Sequence, residues 1–309
     1  MTAATPYALY LSRLSATSQR SIHSQMRSIG KLMDWHSSEL AQKLSAIDYQ
    51  QAMQLRALMV HAGWSARSIN RAMTAIRNIV KVAALMGKAD VSQVAHIETI
   101  GQMKHGQHQG NPLTNEQVTA LFTRLKERKT DYGKRTFAIF ALFLGTGLRR
   151  SELAALKLSE LDLEKQTLTV LAGKGNKSRI LFLPAWVEQA LVTWLKVRGQ
   201  QQGYLICKCS LTGIKRTGTA VSPDTLYRIV RETLSELGVP GVSPHDLRRT
   251  FITRLLSQRV DINTVRQMAG HADISTTTLY DKRSDDFMRQ AAAQLNFDAL
   301  PTRKRRRQT

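Results

Sequence analysis

The stretch TFAIFALFLGTGLRRSEL, residues 136–153, joins a long apolar run to a glycine-rich turn and two arginines. The run is too continuously apolar for a surface helix and predicts a helix buried in a core. Its glycines allow a sharp backbone turn. Arg149 follows this turn, where its planar guanidinium could bind two phosphate oxygens with Glu152 holding it in place. Alone, the pattern is more often structural than functional.

The segments around this run predict two domains. Apolar residues recur at helical spacing near the N-terminus, at Ile22, Met26, Ile29 and Met33 and again at Ile69, Met73, Ile76 and Val80. We therefore expect a helical domain over residues 1–103. Residues 104–112 are polar and rich in glycine, which is typical of a linker. Thr114 and Gln117 have the spacing of a capping box, so a second domain begins at residue 113 and extends to 309.

The second domain is predicted to contain strands as well as helices. TLTVLAGKGNKSRILFLP, residues 167–184, alternates in polarity on both sides of a Gly-Lys-Gly turn, as a β-hairpin does. Lys174 lies at the turn, where it could reach the DNA minor groove or a leaving oxygen, although a basic tip more commonly protects a sheet edge. The predicted fold class is mainly α with a small antiparallel β-sheet.

The charge balance points to a polyanionic partner. The chain has 45 Lys and Arg against 23 Asp and Glu, a net charge of +22. Self-repulsion of that size opposes compaction, and nucleic acid or an anionic membrane surface would relieve it. Arg67 and Arg71 are candidate phosphate contacts off the apolar stripe, although a solvated helix face is the commoner explanation for any one of them. The RKRRR run, residues 303–307, is expected to add non-specific DNA affinity.

Membrane, metal and nucleotide chemistry are disfavoured. The longest apolar run, Phe137–Leu144, is far shorter than the roughly 20 residues of a membrane span. Without a recognisable signal peptide, a cytoplasmic protein with no membrane partner is expected. Cys207 and Cys209 cannot complete a zinc site by themselves and predict an incidental reduced pair. Without a metal-spaced acidic cluster or a nucleotide loop, no metal and no cofactor are expected, and a two-metal nuclease is disfavoured.

SPHDLRRTF, residues 243–251, predicts the start of another helix. Ser243 and Asp246 have capping-box spacing, and Pro244 suits the first helical position. His245 and Arg248 are three residues apart, so they share a face near the helix N-terminus. Free backbone N–H groups there add to these side chains and favour an anion. An ordinary capped helix with surface charges is an equally good reading of this stretch alone.

GHADISTTTLYDKR, residues 270–283, places a tyrosine behind a run of hydroxyl side chains. Tyr280 is either a surface ring in a turn or a nucleophile. A phenol of pKa ~10 attacks poorly at neutral pH unless a base takes its proton and cations neutralise the charge that develops on phosphorus. The arginines, histidines and lysine of the other three stretches could supply both.

Together and in this order, the four stretches resemble the motifs of the tyrosine recombinase (phage integrase) family. TGLRRSEL is similar to the first-arginine motif, GKGNKSR to the lysine hairpin, HDLRRTF to the His-x-x-Arg motif, and AGHADISTTTLY to the final motif with histidine and tyrosine. The resemblance covers residues 113–285 closely. It implies an α+β catalytic domain there, preceded by the family's helical core-binding domain.

The resemblance implies a role for each matching residue. Arg149 and Arg248 would bind the non-bridging oxygens of the scissile phosphate. Lys174 would protonate the 5′ leaving oxygen, His245 would assist proton transfer, and His271 would hydrogen-bond the phosphate.

By the same resemblance, Tyr280 would attack to give a 3′-phosphotyrosyl link, which conserves the bond energy and needs neither ATP nor a metal. Exchange would pass through a Holliday junction in a homotetramer on two synapsed double-stranded DNA sites.

We expect a simple Xer-like enzyme without an arm-binding domain, with a second recombinase or an accessory DNA-bending protein as further possible partners. Arg150 stands where the family usually has an apolar residue, so it is a candidate DNA contact. Lys177, in the GKGNKSR stretch, is a further candidate. Residues 284–297 have the helical content of a segment that docks on a neighbouring subunit.

Two alternatives remain at the level of sequence. A type IB topoisomerase shares the nucleophile and arginines but relaxes any supercoiled DNA, so relaxation of a plasmid that lacks a cognate site would favour it. A DNA-binding module could also keep the fold and lose activity. The second is disfavoured because all six catalytic positions carry competent residues.

Overall fold

The computed structural model describes residues 4–104, 110–171, 178–210, 212–213, 215–281, 289 and 292–293. Over these ranges the chain is mainly α-helical with two small antiparallel sheets, which confirms the predicted fold class. It forms two compact units, Met1–His108 and Gln109–Thr309, and the division falls inside the expected linker. No helix within the described ranges is long and apolar enough to cross a bilayer.

The described part of the first unit is helical, as its apolar periodicity predicts. Its elements are α1 (Pro6–Ser12), α2 (Ala16–Leu32), α3 (Leu40–Ser45), α4 (Tyr49–His61), α5 (Ala66–Leu85) and α6 (Val91–Glu98). The predicted stripe on α5 is buried throughout, and that on α2 is buried except at its last member, Met33, which is half-buried. Helix α5 begins where the Ser65 hydroxyl accepts from the N–H of Ser68, and it ends just before Gly87. These helices enclose one apolar core.

The second unit combines helices with the two sheets. Its elements are α7 (Asn115–Glu127), α8 (Asp131–Thr146), α9 (Arg150–Ala155), β1 (Leu161–Asp162), β2 (Thr167–Val170), β3 (Arg179–Phe182), α10 (Ala185–Arg198), β4 (Cys207–Cys209), β5 (Lys215–Ala220), α11 (Pro223–Ser235), α12 (Pro244–Ser257), α13 (Ile262–Ala269) and α14 (Ser275–Thr278), with a short 3-10 helix at Leu158–Glu160. Thr114 and Gln117 form the predicted capping box of α7.

The predicted hairpin is present in the antiparallel pairing of β2 with β3, where Thr167 lies opposite Phe182 and Val170 opposite Arg179. Strand β1 completes a three-stranded sheet, and β4 and β5 form a separate pair. The hairpin tip, residues 172–177, lies outside the described residues. The thiols of Cys207 and Cys209 are reduced and buried on β4, and burial raises the pKa of both.

Helix α8 is the centre of the second unit, packed against α10 and α12. Twelve of its sixteen residues are buried, including Phe140 and Phe143, as the apolar run predicts. It ends at Gly147, whose N–H donates to the Phe143 oxygen and whose φ of 63° is left-handed. A Cβ at Gly147 would come within 2.3 Å of the Phe251 ring. Glycine is therefore required here for both conformation and space, and the turn delivers Arg149.

Candidate active site

Arg149 is the N-cap residue of α9 and is held at three points. Its Nη1 donates to Oε1 of Glu152 at 2.8 Å, the contact predicted from the sequence, and its backbone N–H donates to Oε2 at 2.8 Å. Its Nη2 donates to the carbonyl oxygen of Gly270, 2.7 Å away. The side chain is still 39% exposed. Arg149 is thus fixed in direction while part of its guanidinium faces solvent.

Glu152 binds a second arginine that the sequence interpretation had not assigned. Arg179, the first residue of β3, donates from Nη1 and Nη2 to the two carboxylate oxygens at 3.0 and 2.9 Å. Burial alone would raise the pKa of Glu152, but hydrogen bonds and charge from Arg179 and Arg149 outweigh it and lower that pKa to about 2. Glu152 is therefore a carboxylate at neutral pH.

The N-terminus of α12 is built around Asp246. Its Oδ2 accepts from the N–H and the hydroxyl of Ser243, at 3.0 and 2.6 Å, and its Oδ1 accepts from the N–H of Asn111 at 3.0 Å. Burial raises the pKa of this carboxyl, but these hydrogen bonds lower it further than burial raises it. The predicted helix start is confirmed, with one difference: the Ser243 hydroxyl donates to the carboxylate.

Arg248 lies one turn into α12 and is 3% exposed. Its Nη1 donates to the oxygen of Gly147 at 2.6 Å, and its Nη2 donates to the oxygen of Ala269. Burial, followed by the neighbouring charge of Arg149, lowers the pKa of this guanidinium to about 10. Arg248 is thus a buried cation whose orientation is set by two backbone carbonyls at the ends of α8 and α13.

His245 and Arg248 share the first turns of α12 as predicted, but their environments differ. His245 is exposed and Arg248 is buried. On the core side of the helix, the buried apolar residues are Leu247, Phe251, Ile252 and Leu256.

His271 and Tyr280 are each 7% exposed and stack on one another, with ring centroids 6.2 Å apart and an interplanar angle of 18°. Nδ1 of His271 pairs with the hydroxyl of Thr277 at 2.8 Å. Burial and then the charges of Arg248 and Arg149 lower the pKa of His271 to about 4. The imidazole is therefore neutral at pH 7.

The hydroxyl run before Tyr280 does more than connect His271 to the tyrosine. It forms α14, a single helical turn in which Thr277 is fully buried. Because Thr277 holds His271, this turn fixes the imidazole beside the tyrosine ring. The charged group of Arg249 lies 5.1 Å from the centroid of that ring. This cation and the Thr277 contact are functional candidates that the sequence interpretation did not identify.

The remaining predicted site residues are distributed as follows. Arg150 is exposed, 3.5 Å from the carboxylate of Asp224 and 5.8 Å from the ring of Tyr227. Arg67 and Arg71 are exposed on α5, and Arg71 donates to the hydroxyl of Ser21. Several further residues with a predicted role lie outside the described residues. They are Lys174, Lys177, most of residues 284–297 and all of 303–307.

The site thus brings together Arg149, Arg248, His271 and Tyr280, from sequence positions up to 131 residues apart. A neutral imidazole stacks on a buried phenol, and the charges of Arg248 and Arg149 act on that imidazole. This arrangement is suited to bind a phosphate and to activate a nucleophile. No group of three or more metal-ligating His, Cys, Asp or Glu side chains occurs within the part of the chain that the structure describes.

Comparison with known proteins agrees with this chemistry. Residues 86–286 match the phage integrase family. The tyrosine recombinase XerA of Pyrococcus furiosus is 30% identical over 246 residues, covering 80% of each chain. The tyrosine recombinase XerC of Pseudomonas entomophila is 31% identical over 304 residues, covering 97% of this chain and 96% of the relative.

A solved structure shares the fold at lower identity. The Tn1549 transposon integrase, in complex with a circular intermediate DNA, has a TM-score of 0.70 and 20% identity, covering 94% of this chain and 99% of its own. The chain belongs to the phage integrase family of tyrosine recombinases, enzymes of site-specific DNA recombination. The family resemblance predicted from the four motifs is confirmed.

Proposed function

We propose that Tyr280 is the nucleophile of a DNA strand-transfer reaction. Its oxygen attacks the scissile phosphorus, an O–P bond to tyrosine forms as the bond to the 5′ oxygen breaks, and the phenolic proton leaves to a base. The product is a 3′-phosphotyrosyl link, which a 5′-hydroxyl can attack to reverse the exchange. The observation that carries the proposal is the position of this phenol, buried against His271 with Arg248 and Arg149 in the same cluster.

Arg149 and Arg248 form the phosphate clamp. Each guanidinium has five donors in a fixed plane, and here each is anchored by part of them to carboxylate or carbonyl oxygens. Anchoring removes the conformational cost of ordering a long side chain when the phosphate arrives. Two oriented cations stabilise the extra negative charge of the pentacoordinate transition state.

The histidines and a lysine would handle the hydrogen bonds and protons. We assign the Thr277 hydroxyl as the donor to Nδ1, so that the neutral His271 carries its hydrogen on Nε2 and donates a hydrogen bond from there to a phosphate oxygen. His245, exposed at the start of α12, assists proton transfer. Lys174, which belongs to the hairpin tip, is the general acid that protonates the 5′ leaving oxygen.

The partner is a double-stranded DNA recombination site. A net charge of +22 supplies the sequence-independent part of the affinity. Residues 1–103 act as the core-binding domain and 113–309 as the catalytic domain. Arg67, Arg71, Arg150 and Lys177 are proposed as further DNA contacts. Two synapsed sites in a homotetramer would exchange strands through a Holliday junction in the cytoplasm, with a second recombinase or a DNA-bending protein as possible assistants.

A nicked suicide substrate tests the nucleophile. Wild-type protein should form a covalent protein–DNA adduct that survives SDS, because the cut fragment diffuses away and rejoining fails. Tyr280→Phe should bind the same DNA with unchanged affinity and form no adduct. Tyr204→Phe, which removes a hydroxyl elsewhere in the same unit, is the control and should form adduct at the wild-type rate. An adduct with Tyr280→Phe would overturn the assignment.

A further inference from the structure

Arg179 makes more polar contacts with the site than its position in a strand requires. Its side chain is 13% exposed, and its three nitrogens reach two separate partners. Nη1 and Nη2 donate to the two carboxylate oxygens of Glu152 at 3.0 and 2.9 Å, and Nε donates to the carbonyl oxygen of Met268 at 3.1 Å. One guanidinium therefore joins α9, the strand β3 and the end of α13.

Both partners of Arg179 lead directly to the anchors of Arg149. The first anchor is Glu152, which accepts from Arg149 and Arg179 through the same two oxygens. The second is the carbonyl oxygen of Gly270, two residues after Met268. The backbone at Gly270 is packed so closely on Arg179 that a Cβ there would lie 2.8 Å from Nη1. Movement of Arg179 would therefore disturb both groups that orient Arg149.

Electrostatics supports the same connection. The Glu152 side chain is only 14% exposed, and the burial of most of it by itself favours a protonated carboxyl. Hydrogen bonds from Arg179 are the largest influence in the opposite direction, ahead of those from Arg149. The charged groups that act on Glu152 are Arg149 at its own helix terminus, Arg179 on β3 and Arg248 on α12. Without Arg179, the carboxylate keeps one directed partner and loses the strongest influence that keeps it ionised.

We propose that Arg179 is a positioning residue of the phosphate clamp: it acts through Glu152 and the Gly270 turn to hold Arg149 in the direction that meets the scissile phosphate. The inference rests on the proposed role of Arg149 and adds a residue that touches no reacting atom. It also gives β3 a function, since this second strand of the hairpin is bonded through its first residue to the clamp.

The matched control is Arg198, a second buried arginine of the same unit. Its Nε and Nη1 donate only to backbone oxygens of Tyr204, Gly199 and Gln201, and no contact with the site is among them. Arg179→Met and Arg198→Met each remove a largely buried cation and leave acceptors without their donor, so both should lower the melting temperature. A merely structural role predicts equal effects of the two variants on cleavage by the folded fraction.

The first readout is single-turnover cleavage of saturating suicide substrate, normalised to folded protein. Arg179→Met should lower the rate by about 10²-fold with little change in DNA affinity, the loss expected from a small misplacement of a reacting or clamping group. Arg198→Met should stay within a factor of about three of wild type. Equal losses for the two variants would overturn the proposal.

The second readout is the pH profile between 5 and 8. In Arg179→Met the pKa of Glu152 rises, so cleavage should fall toward acid pH more steeply than in the wild type. Arg179→Lys restores a positive charge without the two-pronged geometry, so it should recover the wild-type pH profile but not the full rate. If Arg179→Met fails to fold, Arg179→Lys still decides the question. A wild-type rate in Arg179→Lys would contradict the positioning role.

A double-mutant cycle tests the connection through Glu152, and a variant of Arg149 tests the proposed function on which the inference rests. If Arg179 acts through Glu152, then Glu152→Gln with Arg179→Met should lose little more than the worse single variant. Losses that multiply would overturn the connection. Arg149→Ala is the test of the clamp itself. Unchanged cleavage by Arg149→Ala would refute the proposed function, whereas abolished cleavage together with a harmless Arg179→Met would refute only the positioning role.

Discussion

Arg149 donates from Nη2 to the carbonyl oxygen of Gly270 at 2.7 Å, although the two residues are 121 positions apart in the chain. The bond joins the turn after the buried helix α8 to the turn that delivers His271. Arg248 makes a parallel connection, since it holds the oxygens of Gly147 and Ala269 on the same two turns. The two arginines therefore connect the ends of α8 and α13 through hydrogen bonds. The geometry of the site depends on these backbone carbonyls as much as on side chains.

Gly270→Ala should slow cleavage by the folded protein in addition to lowering its stability. Its φ of 66° costs a non-glycine residue about 1 to 2 kcal/mol. The new methyl group would also meet Arg179 at 2.8 Å. Arg179 cannot swing away without breaking its bonds to Glu152 and Met268, so the turn and the Arg149 anchor shift instead. We expect a cleavage rate at least about tenfold lower, measured at saturating DNA on the folded fraction.

Gly238→Ala is the control for that experiment. Gly238 has a φ of 72° in the same unit, and a Cβ there would meet no atom within 4 Å. It should lose a similar amount of stability, about 1 to 2 kcal/mol in a denaturant titration, without a matching loss of cleavage. Parallel losses of cleavage in both variants would show that the Gly270 turn acts only through stability.

Arg248→Ala should slow cleavage strongly while leaving most DNA affinity. Removing one oriented cation from a transition-state site costs about 10²-fold to 10³-fold in rate. A single phosphate contact among many contributes little to overall binding. Adduct formation on a suicide substrate and a mobility-shift titration measure the two effects.

The comparison for Arg248 is Arg254→Ala, an exposed cation later on the same helix. It should lose a little affinity at low salt and cleave at the wild-type rate once DNA is saturating. If binding and cleavage fall by the same factor in Arg248→Ala, the residue contributes to affinity and is not part of the clamp.

The sequence predicted best those features that depend on residues close together in the chain. The buried helix before Gly147, the hairpin pairing and the start of α12 follow from periodicity and turn residues that lie close together in the chain. The four motifs also pointed to the family, because their order constrains which residues meet. Arg149 and Glu152, only three residues apart, were paired correctly from the sequence.

What the sequence could not indicate are contacts that depend on tertiary packing. Arg179 lay within a quoted stretch, yet a basic residue at a strand start gives no sign that its partner is Glu152, 27 positions earlier. The carbonyl partners of Arg248 could not be predicted from residue type, because every residue has a backbone oxygen. Thr277 was one of several similar hydroxyls, and only the turn of α14 selects it as the partner of His271.

His271 should make stability depend on pH. Its folded pKa of about 4 lies below its ordinary value of 6.5, so the unfolded chain binds the proton more readily. The stabilisation is complete above pH 6.5 and is lost as pH falls toward 4. Between pH 7 and pH 5 the loss amounts to about 2 kcal/mol. Urea titration at each pH measures the free energy of unfolding of the wild type and of His271→Gln. The difference between the two should be smaller at pH 5 than at pH 7 by this amount. A constant difference for His271→Gln across this pH range would contradict the buried neutral imidazole.

Arg249→Met should slow the attack by Tyr280 without preventing it. The guanidinium carbon of Arg249 lies 5.1 Å from the ring centroid of Tyr280, close enough to stabilise negative charge as the phenol loses its proton. A partly desolvated cation over a ring contributes about 1 to 2 kcal/mol, so adduct formation should slow by about tenfold. Arg249→Lys, which keeps the charge, should recover much of that loss. Arg231→Met removes a comparable contact, 5.9 Å from the ring of Tyr227, and should cleave normally. If Arg249→Met matches the wild-type rate across pH 6 to 9, this cation only packs against the tyrosine and takes no part in its activation.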